Sequence, residues 1–359
     1  MSLNVLVIPE DFRKDQFILA PLIRRLFAEI GTVHQDYELT FIEPWFLNRK
    51  LSLGVNLYYQ QLDFESPNNI FDENRAGMKL SLSRALPRPQ ILDNLLGTGD
   101  FIGSVSYTVE RVGISLNGGW HDVINNNPPN PPVPPNVPQA ILDQTGDHFF
   151  QRFGATLAYD TRNSTKLPNH GQRTEIDSEF STGDSTFYKA EAKSEWYFPG
   201  FLPGHVLEAG GRAGIADSLG SGDVPFYDRY YLGGLYSLRG FKYRNIGPRD
   251  PQYGINPLMP NEPIGGDSYW FGSLEYSIPI LEKENGVGVR LAAFYDVGAV
   301  GAGPYSFSGN FDDNWGLGIH LNIPHLGPLR LEYGVPIHHD QYNGAGGQFQ
   351  FGVGWTREF

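Results

Sequence analysis

Three side chains whose types could act together stand far apart in the chain: Arg239, Glu275 and Asp296. Glu275 and Asp296 each fall on the polar side of an alternating segment, and a single hairpin separates these two segments. The two carboxylates can therefore approach each other, and shielded anions need a cation. A guanidinium offers a planar fork that fits carboxylates, and Arg239, beside Gly240 in a long loop, could supply it. An ion pair buried by the loop is one interpretation, and an exposed Arg239 paired with water is the other.

Catalytic and metal chemistry have weaker support. A role for Glu275 and Asp296 as an acid/base pair lacks a neighbouring group that would bind a substrate. The absence of cysteine excludes a thiol nucleophile and a disulfide framework, and no serine stands in a G-x-S-x-G pattern. His338 and His339 favour a strand-end loop over a metal site, because adjacent side chains on a strand point in opposite directions. We therefore expect no catalytic residue, no metal and no cofactor, and a protein that is not an enzyme.

The composition indicates a structure with one face in lipid and one in water. The net charge of −13 and the lack of a long basic run argue against nucleic acid as a partner. Aromatic residues make up 14% of the chain, yet its mean hydropathy is −0.33. The apolar stretch at 17–23 contains a proline and is far shorter than the roughly 18 residues of a membrane-spanning helix.

Apolar and polar residues alternate with a period of two from residue 34 to the end. In residues 51–59, for example, Leu51, Leu53 and Val55 share one side, opposite Ser52 and Gly54. About thirteen such segments recur, and many are near the roughly ten residues of a tilted membrane strand. Their centres lie near residues 39, 55, 79, 108, 155, 177, 192, 210, 273, 293, 318, 332 and 353. The pattern favours an all-β transmembrane antiparallel barrel over a soluble β-sandwich or lipocalin-like barrel, whose strands are usually shorter.

Two long loops interrupt this alternation. Residues 118–144 include the run NNNPPNPPVPPN, which is typical of an extended segment without a core. Residues 220–266 are rich in Tyr, Arg and Gly, and a loop of that length within a compact domain usually has a function.

The second loop resembles the sixth-loop signature of the BamA-type outer-membrane assembly factors, the bacterial surface antigen barrel family. Leu238, Arg239, Gly240 and Phe241 match the family's tetrad, and further matches fall in the family's order. The residues that carry the resemblance are Gly233, Gly234 and Ser237 in the loop, the segments 37–46, 159–163, 273–276, 294–298 and 327–333, and Pro168 and Gly171. The resemblance covers residues 34–359.

The resemblance implies a barrel of about sixteen strands, of which about thirteen are readable here. It implies that the loop folds into the lumen, that Arg239 faces a carboxylate on each of two strands, Glu275 and Asp296, and that Phe241 packs on the wall. The implied function is the folding and insertion of outer-membrane proteins in the outer membrane of a Gram-negative bacterium. The implied partners are unfolded outer-membrane protein precursors, the lipid bilayer and periplasmic accessory lipoproteins.

The resemblance implies that the last strand carries a signal that the family's assembly machinery reads. Phe351, Val353 and Trp355 alternate with small or polar residues, and Phe359 is last. In the family, the final aromatic residue closes the strand sooner than Phe359 does here.

Residues 1–33 depart from the family. A strand is predicted at 3–8 and an amphipathic helix over 18–30, where apolar residues recur at helical spacing. The sequence shows no match to the first three family strands or to the periplasmic POTRA domains that dock the lipoproteins. It also shows no signal-peptide pattern. The simplest explanation is a barrel domain at 34–359, truncated at its start and fused to an unrelated segment at 1–33.

Two other functions remain open beside protein insertion. A two-partner secretion pore shares the loop tetrad but exports a single substrate. A passive diffusion porin would conduct strongly, because it would lack a loop that closes the pore.

Overall fold

The computed structural model describes residues 2–7, 23–30, 34–63, 70–87, 99–116, 137–165, 167–220, 222–251, 261–281, 287–307, 310–323, 327–340 and 342–353. These residues form one antiparallel sheet of 15 strands, in which neighbours in sequence are neighbours in space. The strands are β1 (Ser2–Val7), β2 (Ile23–Ile30), β3 (His34–Glu43), β4 (Ser52–Asp63), β5 (Phe71–Leu86), β6 (Asp100–Leu116), β7 (Gly146–Asp160), β8 (Gly171–Gly183), β9 (Phe187–Pro199), β10 (Val206–Ser218), β11 (Ser268–Leu281), β12 (Gly288–Gly301), β13 (Asp312–Ile323), β14 (Gly327–His338) and β15 (Gln348–Val353).

Helices are short in the described ranges. They comprise α1 (Gln139–Leu142) and two 3₁₀ turns, Phe46–Asn48 and Phe226–Asp228. None of the helices in these ranges is long and apolar enough to cross a bilayer.

Where the structure describes side chains, in β3 to β15, the strands have an apolar outer side and a more polar inner side, as the alternation predicts. Large apolar side chains stand exposed on the outer side, including Leu157, Ile176, Leu274, Leu317 and Phe349. Charged residues of the sheet are buried on the inner side, including Arg152, Glu275, Asp296 and Glu332. This inversion suits a wall with lipid outside and a polar interior. The predicted all-β antiparallel fold is confirmed.

The thirteen predicted strand centres all lie within β3 to β15. The predicted helix over 18–30 is wrong where the structure describes it, because residues 23–30 form β2. β2 pairs with β3 along its whole length, from Ile23 opposite Ile42 to Ile30 opposite Gln35. Pairing satisfies the backbone of the β3 edge, which lipid cannot do, and this outweighs the helical spacing of the apolar residues. The sheet therefore extends into the segment that the sequence assigned to a separate unit.

Strands from both halves of the sheet contact the described part of the loop, residues 222–251 and 261–266. Arg75 of β5 donates a hydrogen bond to the backbone oxygen of Tyr227 in the loop (3.0 Å). Gln350 of β15 donates one to the backbone oxygen of Phe241, also in the loop (2.9 Å). Strands far apart in the sheet thus contact the same loop. In the described ranges no ladder joins β1, at one end of the sheet, to β15 at the other.

Candidate functional site

A compact turn at residues 233–241 presents Arg239 to the inner wall. Gly233 and Gly234 both have positive φ values, 106° and 101°, and a Cβ on Gly233 would lie 2.2 Å from the backbone oxygen of Lys242. Only glycine accepts that conformation readily. The Ser237 hydroxyl accepts a hydrogen bond from the Gly233 N–H (2.8 Å) and so closes the turn. Leu238 is fully buried beside it.

The Arg239 guanidinium lies among carboxylates. Its Nε and Nη2 donate to Asp296 at 2.9 and 2.8 Å, the two-pronged geometry that makes such pairs strong. Its Nη1 donates to Glu275 at 2.7 Å and to Glu332 at 3.3 Å. Arg239 is 4% exposed and Asp296 is fully buried. The structure therefore brings together the three residues that the sequence singled out for an ion pair.

Strand register explains why these carboxylates converge. Asp296 on β12 lies opposite Ser273 on β11, so Glu275 is two residues along the same inner side. On the other side of β12, Asn314 of β13 lies opposite Asp296. Ser273 and Asn314 both donate to the Asp296 carboxylate, at 2.7 and 3.0 Å. Neighbouring strands thus fill the hydrogen-bonding capacity of the Asp296 carboxylate.

An aromatic ring forms the remaining side of the Arg239 site. The guanidinium carbon lies 3.5 Å from the centre of the Phe294 ring, a cation–π contact on the same inner side of β12 as Asp296. Burial alone would lower the pKa of Arg239, but the charges of Asp296, Glu332 and Glu275 outweigh it and raise the pKa above its usual value. Arg239 is therefore a permanent cation at this position.

Two glycines allow the loop to lie directly against the wall. A Cβ on Gly334 of β14 would lie 2.6 Å from the backbone nitrogen of Gly240, and a Cβ on Gly240 would lie 2.6 Å from Cβ of Asn314. The next loop residue, Phe241, is 2% exposed and belongs to the buried apolar cluster that also contains Phe226 and Leu238.

Sequence reasoning missed Glu332 and His320 at this site. His320 Nε2 lies 2.8 Å from Glu332, and its Nδ1 lies 3.6 Å from Glu275. Glu332 falls on the polar side of the alternating segment 327–333, so the rule that located Glu275 could have found it. No sequence signal pointed to His320, because its role depends on the lateral order of β11, β13 and β14.

Ligand-type atoms of Glu275, His320 and Glu332 lie within 4.8 Å of one another, the one such group in the described ranges that could hold a metal ion. The Arg239 guanidinium already lies against both carboxylates, 2.7 and 3.3 Å away. A metal cation would have to displace that charge, so the arrangement suits an internal ion cluster.

Only part of the predicted C-terminal signal lies within the described residues. Phe351 points outward from β15 with 57% of its surface exposed, as expected for a lipid-facing aromatic residue. Val353 is the last residue of β15, and Trp355 and Phe359 lie outside the described residues.

Comparisons with known proteins support one family. The Omp85 superfamily domain matches residues 25–356. The outer membrane protein assembly factor BamA of Nitratidesulfovibrio vulgaris is 31% identical over 226 residues, which cover 60% of this chain and 26% of that protein. A SAM50-like protein of Drosophila melanogaster is 25% identical over 346 residues, covering 91% of this chain and 74% of that protein.

Solved structures show the same fold. BamA of Haemophilus ducreyi lacking POTRA domains 1–3 matches with a TM-score of 0.66 and 20% identity, covering 92% of this chain and 64% of that chain. CdiB of Escherichia coli matches with a TM-score of 0.62 and 12% identity, covering 93% of this chain and 56% of that chain. The chain thus spans about a quarter of the length of its bacterial BamA relative.

Proposed function

The chain belongs to the Omp85 superfamily and is an outer-membrane β-barrel, and from that premise we propose that it folds and inserts other outer-membrane proteins. Loop 220–266 lies folded in the lumen and closes the pore, held there by Arg239. Two observations support the proposal. The family model matches residues 25–356, and Arg239 of the loop makes a buried contact with Asp296 of β12. The 31% identity to a bacterial assembly factor favours the outer membrane of a Gram-negative bacterium.

The proposed mechanism is non-enzymatic. A strand at the end of a sheet presents backbone donors and acceptors that lipid cannot satisfy, and an incoming strand can pair with them. In the described ranges β1 and β15 are the end strands. We assign them the role of template for unfolded outer-membrane protein precursors, with the bilayer as the second partner. Periplasmic accessory lipoproteins would act through domains outside this chain.

Client folding in proteoliposomes tests this function. Vesicles that contain the chain receive a urea-unfolded eight-stranded outer-membrane protein, and the heat-modifiable folded band of that client is followed over time. Empty vesicles and vesicles with a passive porin at equal density are the controls. Severalfold faster client folding than in both controls is expected. Equal rates in all three preparations would refute the proposal.

The secretion pore is the second candidate, with support from the shared fold of CdiB alone. It predicts no acceleration of client folding but passage of one exported protein into the vesicle lumen. A passive porin would neither accelerate client folding nor pass the exported protein, and it would show a large open conductance.

A further inference from the structure

A second buried ion cluster holds the first part of the loop against β5 to β8, strands that are separated in the sheet from β11 and β12, which carry Glu275 and Asp296. Asp228 of the loop accepts two hydrogen bonds from Arg152 of β7, at 3.1 and 3.0 Å, in two-pronged geometry. Arg75 of β5 lies 3.7 Å from the Asp228 carboxylate and donates to the backbone oxygen of Tyr227. Asp228 and Arg152 are each 6% exposed.

Further ion pairs hold the two strand arginines of this cluster in place. Arg152 also contacts Glu110 of β6 at 2.9 Å and Glu179 of β8 at 3.0 Å. Arg75 contacts Glu73 at 2.6 Å. Four adjacent strands, β5 to β8, therefore fix the two arginines that Asp228 meets, so the cluster is rigid on the wall side.

Apolar packing excludes water from the same place. The Phe226 ring meets Phe71 of β5 edge-on, with ring centres 5.0 Å apart. The Phe150 ring lies 6.2 Å from Tyr227 and 4.9 Å below the Arg152 guanidinium. In such a desolvated setting, an unpaired charge is costly and a paired one is strongly oriented.

The two clusters use opposite polarity. Near Asp228 the loop supplies the anion and the strands supply the cations, whereas near Arg239 the loop supplies the cation and the strands supply the anions. We propose that Asp228 is a positioning residue and a second fixing point, so that loop 220–266 is a brace that ties β5–β8 to β11–β14 across the lumen. The consequence for client insertion rests on the proposed function: the brace keeps the wall together while the end strands open.

Thiol labelling tests the brace, because the chain contains no cysteine. Single-cysteine reporters are Val224→Cys near the Asp228 cluster and Leu238→Cys beside Arg239, and both native side chains are at most 1% exposed. Each reporter is combined with Asp228→Asn, with Arg239→Ala or with the control Asp223→Asn. Asp223 is an equivalent loop carboxylate whose side chain is 93% exposed. The readout is the rate of reaction with a water-soluble maleimide in the heat-modifiable fraction only.

Asp228→Asn is expected to speed labelling at position 224 roughly a hundredfold over Asp223→Asn, with a much smaller effect at position 238. Arg239→Ala is expected to show the reverse pattern. Labelling at 224 no faster than in Asp223→Asn would overturn the proposal. Equal acceleration at both reporters would also overturn it, because it would show one cooperative unit rather than two fixing points.

Arg152→Lys is the second variant, should Asp228→Asn give no heat-modifiable band. It keeps the charge and loses the two-pronged geometry, so labelling at position 224 is expected to rise severalfold. An unchanged rate would overturn the proposal. Labelling does not depend on client insertion, so this result is separate from the test of the proposed function.

Discussion

Arg239 and Asp296, 57 residues apart in sequence, are joined by two parallel hydrogen bonds of 2.9 and 2.8 Å. The Arg239 backbone N–H also donates to the same carboxylate, at 3.3 Å. Asp296 therefore fixes both the side chain and the backbone of the loop at this point, and it does so on a strand held by β11 on one side and β13 on the other.

The carboxylates around Arg239 should differ in importance. Asp296 accepts from three Arg239 groups, from Ser273 and from Asn314, whereas Glu332 accepts one longer bond from Arg239. Asp296→Asn is expected to lower the free energy of unfolding by about 3–5 kcal/mol, and Glu332→Gln by less. Urea titration in detergent micelles measures both.

Asp177→Asn is the matched control for these variants, because the Asp177 side chain is 30% exposed and its lysine partner lies 3.5 Å away. It should change the free energy of unfolding by no more than about 1 kcal/mol. Equal losses for Asp296→Asn and Asp177→Asn would contradict the ranking.

The contact between Gly240 and Gly334 should tolerate no side chain. A methyl group on Gly334 would meet the loop backbone at 2.6–2.7 Å, so Gly334→Ala is expected to displace the loop and destabilise the protein by about 1–3 kcal/mol. Gly211→Ala is the control, since its Cβ would make an ordinary 3.5 Å contact with Phe271. Unfolding midpoints in urea compare the two. A Gly334→Ala variant as stable as Gly211→Ala would show that loop and wall are not in contact.

Acid should weaken the Asp228 cluster. Burial of Asp228 would raise the pKa of its carboxyl, but the charges of Arg152, Arg75 and Lys189 outweigh burial and lower the pKa to about 2. A carboxylate whose pKa is lower in the folded state stabilises that state above the unfolded pKa, near 4, and loses this contribution as the pH falls toward 2. The contribution is on the order of 2 kcal/mol.

The measurement is the difference in urea midpoint between the native chain and Asp228→Asn at several pH values. The difference should be constant from pH 7 to about 5 and shrink between about pH 4 and 2. A difference that does not depend on pH over this range would contradict the assignment to Asp228.

Much of the fold followed from local alternation. Residues such as Leu274 and Glu275 alternate between lipid and lumen, and that signal is set by the strand alone. β2 was missed because the apolar spacing of residues 23–30 also fits a helix, and only its pairing partner β3 decides between the two. The residues of segment 23–30 alone do not show which strand they will pair with.

The candidate site was predictable in part for the same reason. The approach of Glu275 to Asp296 could be predicted because a single hairpin joins their strands. The position of Arg239 beside them was implied by the resemblance of its loop to a family motif. The roles of His320 and Asp228 depend on contacts that no local pattern shows. His320 meets Glu275 and Glu332 because β11 to β14 lie side by side. Asp228 meets Arg152, which lies 76 residues away in sequence, because the loop packs against β7. Loop conformation set by packing against the wall is not encoded in any local pattern.

In the proposed function, Arg239 holds the loop in the lumen. The most direct measurement is planar-bilayer conductance of Arg239→Ala, with cold-versus-boiled gel mobility of the same sample. Arg111→Ala is the control, because Arg111 and its partner Asp147 are each 58% exposed. Arg239→Ala is expected to conduct more and to lose its fast-migrating band at a lower temperature than Arg111→Ala. Conductance and gel mobility equal to those of Arg111→Ala would contradict the claim.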